Sequence, residues 1–214
     1  MNKNIYIHIF FVFIIINFIF KIIINNERET LLKKNIDDDI KINFNEKPYI
    51  DLKENILKIK KEGKPLLIKI NSHPCCGKSY FVKKNKGYYK NFKLIDFGDY
   101  KRKKDKYSKK LLSFNENTVL LGCDEPSVED NVIYIYVILS KENFNRNLKK
   151  RENLIPLIQY FNILFNYGWT SSKKIINRRN ELQRSMIKDD KLVKPLFYSF
   201  YDAINYCYDI YNSN

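Results

Sequence analysis

A lysine and a serine that follow a tight polar turn form the part of this chain with the clearest chemical potential. Lys78 and Ser79 come directly after Gly77, and the turn that precedes them begins at Ser72. Such a pair suits a phosphorylated ligand, because the ammonium neutralises phosphate oxygens and the hydroxyl ligates Mg²⁺. The sequence therefore predicts a phosphate-binding loop at this point.

Two elements have to hold this turn in place, and the sequence supplies both of them. The apolar run from Leu66 to Ile70 predicts a buried strand, and the residues from Lys78 onward suit a helix. A turn between a strand and a helix aims successive backbone N–H groups inward, which favours a bound polyphosphate.

The resulting segment resembles the Walker A motif of P-loop NTPases, G-x-x-x-x-G-K-[ST], over residues 72–79. The departure is Ser72, which replaces the first glycine and is strained if its φ has to be positive. The resemblance implies that the loop binds ATP with Mg²⁺ and that Lys78 reaches the β- and γ-phosphates. The binding residues that it implies are Ser72, His73, Pro74, Cys75, Cys76, Gly77, Lys78 and Ser79.

Acidic residues follow two further predicted strands, where ligands of parallel sheets bind. Asp96 and Asp99 end the first of these strands, and Asp124 and Glu125 end the second. The order of segments is similar to that of small-molecule and nucleoside or nucleotide kinases. That resemblance implies that Asp99, or Asp96, contacts the acceptor hydroxyl, and that Asp124 or Glu125 joins Ser79 in binding the metal.

The same resemblance implies two lid arginines, Arg146 and Arg151, that clamp the phosphates. Simpler alternatives exist for several of these residues. Asp99 could cap a helix, Asp124 could form a turn, and both arginines could lie on an exposed helix surface. His73 is expected to position the loop backbone, because P-loop chemistry does not require a general base there.

The strands predict the fold class, because they are apolar throughout and are separated by helical or loop segments. We expect an α/β fold: a three-layer P-loop domain with a mostly parallel sheet of four to five strands, an N-terminal apolar helix and a helical C-terminus. No clear fifth strand is visible, and residues 195–211 are expected to form an aromatic helix. The predicted strands are 66–70, 92–97, 117–123 and 132–139.

The predicted organisation has an anchor, a linker and one domain. Residues 1–26 form the predicted transmembrane anchor, and residues 27–48 form a polar linker. The kinase-like domain occupies 49–214, with a lid at 141–155 and a helical C-terminal part at 156–211.

Residues 5–24 are apolar apart from His8, Asn17 and Lys21, and their length suits a bilayer core of roughly 30 Å. Positive residues concentrate after this segment, which favours a single-pass anchor with the P-loop domain facing the cytoplasm. The alternatives are a cleaved signal peptide and a buried helix. If the segment does not insert, we expect a cytoplasmic protein.

The chain is basic, with 39 Lys and Arg against 24 Asp and Glu and a formal net charge of +15. This charge attracts anions, so nucleic acid is a compatible partner but not a required one, and phosphorylated small molecules benefit equally. The four cysteines show no zinc-type spacing and no secreted disulfide framework. They fit a reducing compartment.

These observations predict an ATP-dependent kinase that transfers the γ-phosphate to a nucleoside, a nucleotide or another small hydroxyl acceptor. The alternative is a P-loop ATPase or nucleotide-binding module that acts on nucleic acid or a membrane partner without small-molecule transfer. A membrane-anchored sulfotransferase and a degenerate pseudo-enzyme are the remaining alternatives.

Overall fold

The computed structural model describes residues 3–98, 115–122, 130–154, 172–189 and 191–213. The chain divides into two compact units. One contains Met1–Asp38 and Lys141–Asn180, and the other contains Asp39–Ser140 and Glu181–Asn214. Lys141–Asn180 thus belongs to the same unit as the N-terminal segment, and the predicted domain from residue 49 to 214 stays a prediction.

Helices and strands alternate along the part of the chain that the structure describes. The helices are α1 (Lys3–Asn35), α2 (Lys47–Lys61), α3 (Lys78–Lys84), α4 (Lys141–Leu154), α5 (Ser172–Arg184) and α6 (Phe200–Asn212). The strands are β1 (Leu67–Ser72), β2 (Lys93–Asp96), β3 (Thr118–Leu121), β4 (Val132–Val137), β5 (Ile187–Lys188), β6 (Lys191–Leu192) and β7 (Leu196–Phe197).

The second unit is built on a five-stranded sheet in the order β2-β3-β1-β4-β7, and every pairing in it is parallel. β1 lies at the centre, where Leu67 pairs with Thr118 of β3 and with Val132 of β4. Residues 67–70 of β1 are all buried, as a central parallel strand requires. The predicted α/β class and parallel sheet are confirmed.

The last strand of this sheet was not foreseen, because the sequence predicts a helix from Pro195. The structure instead has β7 at Leu196–Phe197, and α6 begins only at Phe200. The Ser199 hydroxyl caps α6 by accepting the Asp202 N–H at 3.0 Å. A strand of two residues is too short to show a period of two, whereas the helical C-terminus after it is as predicted.

Aromatic packing holds the helix that follows the predicted phosphate loop. Phe81 of α3 is buried, and its ring lies 5.4 Å from the ring of Phe200 and 4.8 Å from that of Tyr201, centroid to centroid. Both partners belong to α6, which also packs against α2 and β4. The start of α3, where Lys78 and Ser79 lie, is thus fixed by the core of this unit.

The described part of the first unit is helical, and α1 is the longest of its described elements. One continuous helix runs from Lys3 to Asn35, so residues 27–35, expected to belong to a polar linker, form the end of α1 instead. Within Tyr6–Thr30, the most apolar 18-residue window has a mean hydropathy of 2.7 and contains no buried residues. This helix is long and apolar enough to span a membrane.

A buried arginine on α5 contacts other segments of the first unit. Arg179 of α5 is fully buried; its guanidinium donates to the Asp37 carbonyl at 3.2 Å and lies 5.7 Å from the centre of the Phe144 ring. Leu32 and Ile36 are also buried, and α1 packs against α4.

Candidate phosphate-binding site

The predicted loop lies between β1 and α3, at the carboxyl end of the central strand. Cys75 and Gly77 have left-handed φ values of 66° and 84°, and Cys76 between them does not. Alternating φ signs of this kind are typical of an anion-binding nest, in which successive backbone N–H groups point toward one concave side. The left-handed region costs roughly 1–2 kcal/mol at a non-glycine residue, so Cys75 is the strained position.

Ser72, which replaces the first glycine of the motif, is not strained. It is the last residue of β1, pairs with Val137 of β4, and does not have a positive φ. A serine is therefore compatible with the backbone at this position, and the departure from the motif costs nothing in conformation.

His73 is buried, with 1% of its side chain exposed, and both of its ring nitrogens contact backbone groups. Nε2 accepts the Leu139 N–H at 3.0 Å, and Nδ1 lies 2.6 Å from the Pro74 carbonyl oxygen. Since Nε2 accepts, Nδ1 carries the hydrogen and donates it. The imidazole therefore positions backbone, as expected for a residue that is not a general base.

Lys78 lies over the carboxyl end of β3. Its Nζ is 3.5 Å from the His73 carbonyl oxygen and 3.5 Å from Cys76 Sγ. Its aliphatic stem passes so close to Gly122 that a Cβ at that residue would lie 2.7 Å from Lys78 Cε. Gly122 has a φ of 84° and donates its N–H to the Ile70 carbonyl at 2.7 Å.

Ser79 is paired with an acidic residue from β2. Its hydroxyl donates a short hydrogen bond to Asp96 Oδ2, and Asp96 Oδ1 accepts the Gly98 N–H at 3.0 Å. The carboxylate is 8% exposed, so it is held between these two donors. A hydroxyl that gives its hydrogen away keeps its lone pairs, and Ser79 Oγ thus remains able to ligate a cation.

Among the residues that the structure describes, no group of three or more His, Cys, Asp or Glu could hold a metal ion alone. This is compatible with nucleotide-bound Mg²⁺, which takes one or two protein ligands and completes its shell with phosphate oxygens and water. Ser79 with Asp96 behind it offers a site of that kind.

Of the five other predicted site residues, the structure describes the side chain of Arg146 alone. Asp99, Asp124 and Glu125 lie outside the described residues, as does the side chain of Arg151. Arg146 lies on α4 in the helical unit, is exposed, and donates to Asn143 Oδ1 at 2.7 Å.

The site also contains a residue that the sequence analysis missed. Gly122 supports the lysine stem, and a signal for it existed: a lone glycine ends the apolar run of β3 directly before Cys123 and the acidic pair. Leu139, the backbone partner of His73, gave no signal at all, since only its main chain takes part.

Comparison of the chain with family models, with curated proteins and with solved structures found no match. Membership of the P-loop superfamily therefore stays a prediction from the sequence. Function has to be inferred from the loop, from Lys78 and from the Ser79–Asp96 pair.

Proposed function

We propose that this protein is an ATP-dependent phosphotransferase of the P-loop type. It binds ATP with Mg²⁺ and transfers the γ-phosphate to a nucleoside, a nucleotide or another small hydroxyl acceptor. The finer fold assignment that accompanies this function is a three-layer P-loop domain. The observation that carries the proposal is that Lys78 and the Ser79–Asp96 pair both lie beyond the carboxyl ends of the parallel strands, directly after the loop that leaves β1.

The position of this cluster in the sheet supports a ligand site. β1 has β3 on one side and β4 on the other, and the chain completes β2 and β3 before it crosses to β4. The strand order thus reverses at β1. Ligands of open parallel sheets bind in the crevice beyond the carboxyl ends of the strands at such a reversal.

Lys78 supplies the charge that a polyphosphate needs. Its two contacts, with a backbone carbonyl and a sulfur atom, are both 3.5 Å long, so exchanging them for phosphate oxygens gains stronger hydrogen bonds. The nest from Cys75 to Gly77 adds backbone N–H donors beside it. Together they would hold the β- and γ-phosphates and stabilise charge on the transferred group.

Ser79 would hold the Mg²⁺ that accompanies ATP, with Asp96 fixing the direction of its hydroxyl. Bound Mg²⁺ neutralises phosphate charge during transfer. The contact with the acceptor hydroxyl would fall on Asp99 or on Asp96, since each oxygen of Asp96 accepts one hydrogen bond and keeps a further lone pair. Asp124 or Glu125 would complete the metal site, and Arg146 and Arg151 would act as lid arginines.

The alternative is an ATPase that acts on nucleic acid or a membrane partner. The net charge of +15 is the observation that favours it, since a basic protein binds polyanions. ATP hydrolysis that DNA or RNA stimulates, with no transfer to any small acceptor, would support this alternative.

α1 is proposed to be a single-pass membrane anchor with the sheet-containing unit in the cytoplasm. The support is an apolar segment, Tyr6–Thr30, that is long enough to span a bilayer and is unburied over its most apolar part. A cytoplasmic orientation gives the loop access to ATP.

The test is an acceptor screen with ATP and Mg²⁺ on the full chain in detergent or nanodiscs. Lys78→Ala is expected to weaken ATP binding by roughly 10- to 150-fold, because hydrogen bonds to charged groups contribute about 1.5–3 kcal/mol. Lys83→Ala is the matched control, since Lys83 is an exposed lysine on the same helix.

Circular dichroism establishes that both variants keep the fold. The proposal is wrong if the folded wild-type protein does not bind ATP, or if Lys78→Ala binds it as tightly as Lys83→Ala does. Preferential binding of phosphoadenosine phosphosulfate would favour the sulfotransferase alternative.

A further inference from the structure

We propose that His73 is a positioning residue that couples the phosphate loop to the chain segment leaving β4. This inference rests on the proposed function, because it concerns how the bound nucleotide affects that segment. The segment, residues 138–140, connects β4 to α4, where the predicted lid begins.

The link itself is one buried hydrogen bond. His73 Nε2 accepts the Leu139 N–H at 3.0 Å, and the exposed fractions of the two residues are 1% and 7%. A buried backbone N–H that loses its acceptor costs free energy, so the loop and Leu139 are expected to move together.

The backbone N–H of the preceding residue, Ile138, has a different acceptor, so the hydrogen bond of Leu139 can be attributed to His73 separately. The Ile138 N–H donates to the Phe197 carbonyl of β7 at 3.0 Å and so belongs to the sheet. Leu139 is thus the first residue after β4 whose amide is held by the phosphate loop.

His73 also contacts the lysine that would bind the nucleotide. Lys78 Nζ lies 3.5 Å from the His73 carbonyl oxygen. The imidazole of the same residue accepts the Leu139 N–H. A phosphate that draws Lys78 away changes the surroundings of His73. The geometry therefore gives a direct route from the nucleotide to the chain that enters α4.

Two substitutions separate the two bonds of the imidazole. In His73→Gln the side-chain oxygen reaches about as far as Nε2 and can accept the Leu139 N–H. In His73→Asn the amide nitrogen replaces Nδ1 and keeps the Pro74 bond, but nothing reaches Leu139. A merely space-filling role for His73 would not distinguish the two variants in this way.

The experiment is amide hydrogen exchange on the full chain in nanodiscs, with and without saturating ATP and Mg²⁺, together with the KM for ATP. We expect His73→Asn to lose roughly tenfold in protection at Leu139 and a similar factor in KM, with kcat less affected. His73→Gln is expected to restore both quantities. Protection at Ile138 should stay unchanged in every variant and serves as the internal control.

The coupling is overturned if His73→Asn keeps the protection of Leu139, or loses it without any change in the KM for ATP. It is also overturned if the glutamine and asparagine variants behave alike. If the wild-type protein protects the Leu139 amide from exchange but does not bind ATP, the proposed function itself is contradicted. This outcome is seen in the wild-type protein alone and is therefore distinct from a failure of the coupling.

Discussion

At the scale of single residues, a substitution at Gly122 tests whether the Lys78 side chain needs the space that the missing Cβ of this glycine leaves open. In Gly122→Ala the new Cβ would lie 2.7 Å from Lys78 Cε, on a residue with a φ of 84°. We expect a stability loss of roughly 1–2 kcal/mol from the left-handed backbone, together with weaker ATP binding as Lys78 is displaced.

Gly87→Ala is the matched control for this prediction. Gly87 has nearly the same backbone, with a φ of 81°, but a Cβ added there would meet no atom of the described residues within 4 Å. Urea unfolding should give similar losses of stability in the two variants, and ATP titration should find a loss of affinity in Gly122→Ala alone. Equal affinities would show that Lys78 does not depend on Gly122.

Ser79 and Asp96 make a second prediction at this scale. Ser79→Ala removes the hydroxyl that we propose as a Mg²⁺ ligand, so the Mg²⁺ concentration needed for half-maximal ATP binding is expected to rise roughly tenfold. Ser79→Thr keeps the hydroxyl and should stay near the wild type. A Mg²⁺ requirement that is the same in all three proteins would remove Ser79 from the metal site.

Spacing alone predicted Lys78 and Ser79, because the motif and its chemistry lie within one short segment. The partner of Ser79 could not be predicted in the same way. Asp96 reaches Ser79 only because α3 lies against β2, and that placement depends on the packing of Phe81 against α6. The absence of strain at Ser72 likewise needed the strand register.

At the scale of elements, the edge strand β7 pairs with β4 on one side and is bound by a side chain from α2. The Tyr49 hydroxyl donates to the Leu196 carbonyl at 2.5 Å and accepts the Leu196 N–H at 3.3 Å. Burial is the largest cause that raises the pKa of Tyr49 from 10.0 to about 12. The folded protein therefore favours the neutral phenol over the phenolate.

This shift predicts how stability changes in alkali. The contribution of Tyr49 is fully present below pH 10 and is lost as the pH rises from 10 to 12, because the unfolded protein ionises first. Tyr49→Phe should be less stable at pH 7 by about 1 kcal/mol, and the difference from wild type should shrink across that window.

Tyr88→Phe is the control for the alkaline measurement, since Tyr88 is 70% exposed. Urea unfolding at pH 7, 10 and 11.5 measures all three proteins. A constant difference between Tyr49→Phe and the wild type across these pH values would show that the Tyr49 phenol is not held neutral by the fold.

The elements that the sequence predicted are those with long, uniform patterns. The predicted strands 66–70, 92–97, 117–123 and 132–139 are rich in apolar residues, and each of them overlaps one of the strands β1 to β4. The pattern failed at β7, which is two residues long, and at the end of α1, where polar residues 27–35 continue the helix. In both places tertiary packing decides the structure, and composition does not show it.

At the scale of the whole molecule, the apolar segment of α1 predicts that the protein is bound to a membrane. Full-length protein is expected in the membrane fraction and should resist extraction with alkaline carbonate. Ile15→Arg places a charge in the middle of the apolar segment at a cost of roughly 3 kcal/mol and should shift protein to the soluble fraction. Ile15→Leu keeps the segment apolar and should behave as the wild type does.

Intact mass measurement separates the anchor from a removed signal sequence. An N-terminus cleaved near the end of the apolar segment would contradict the anchor, and so would wild-type protein that carbonate releases completely. The sequence could indicate the length and hydropathy of α1, but not that its polar end packs against α4, because contacts between distant segments leave no periodic trace.

The ordinary backbone at Ser72 has a consequence for how loops of this type tolerate mutation. If the leading position needs only an extended conformation, small side chains are interchangeable there. Ser72→Gly should then be nearly neutral for nucleotide binding and slightly loosen the strand end, since glycine has more freedom to lose on folding. The backbone conformation of this chain would then not require glycine at the first position of the motif.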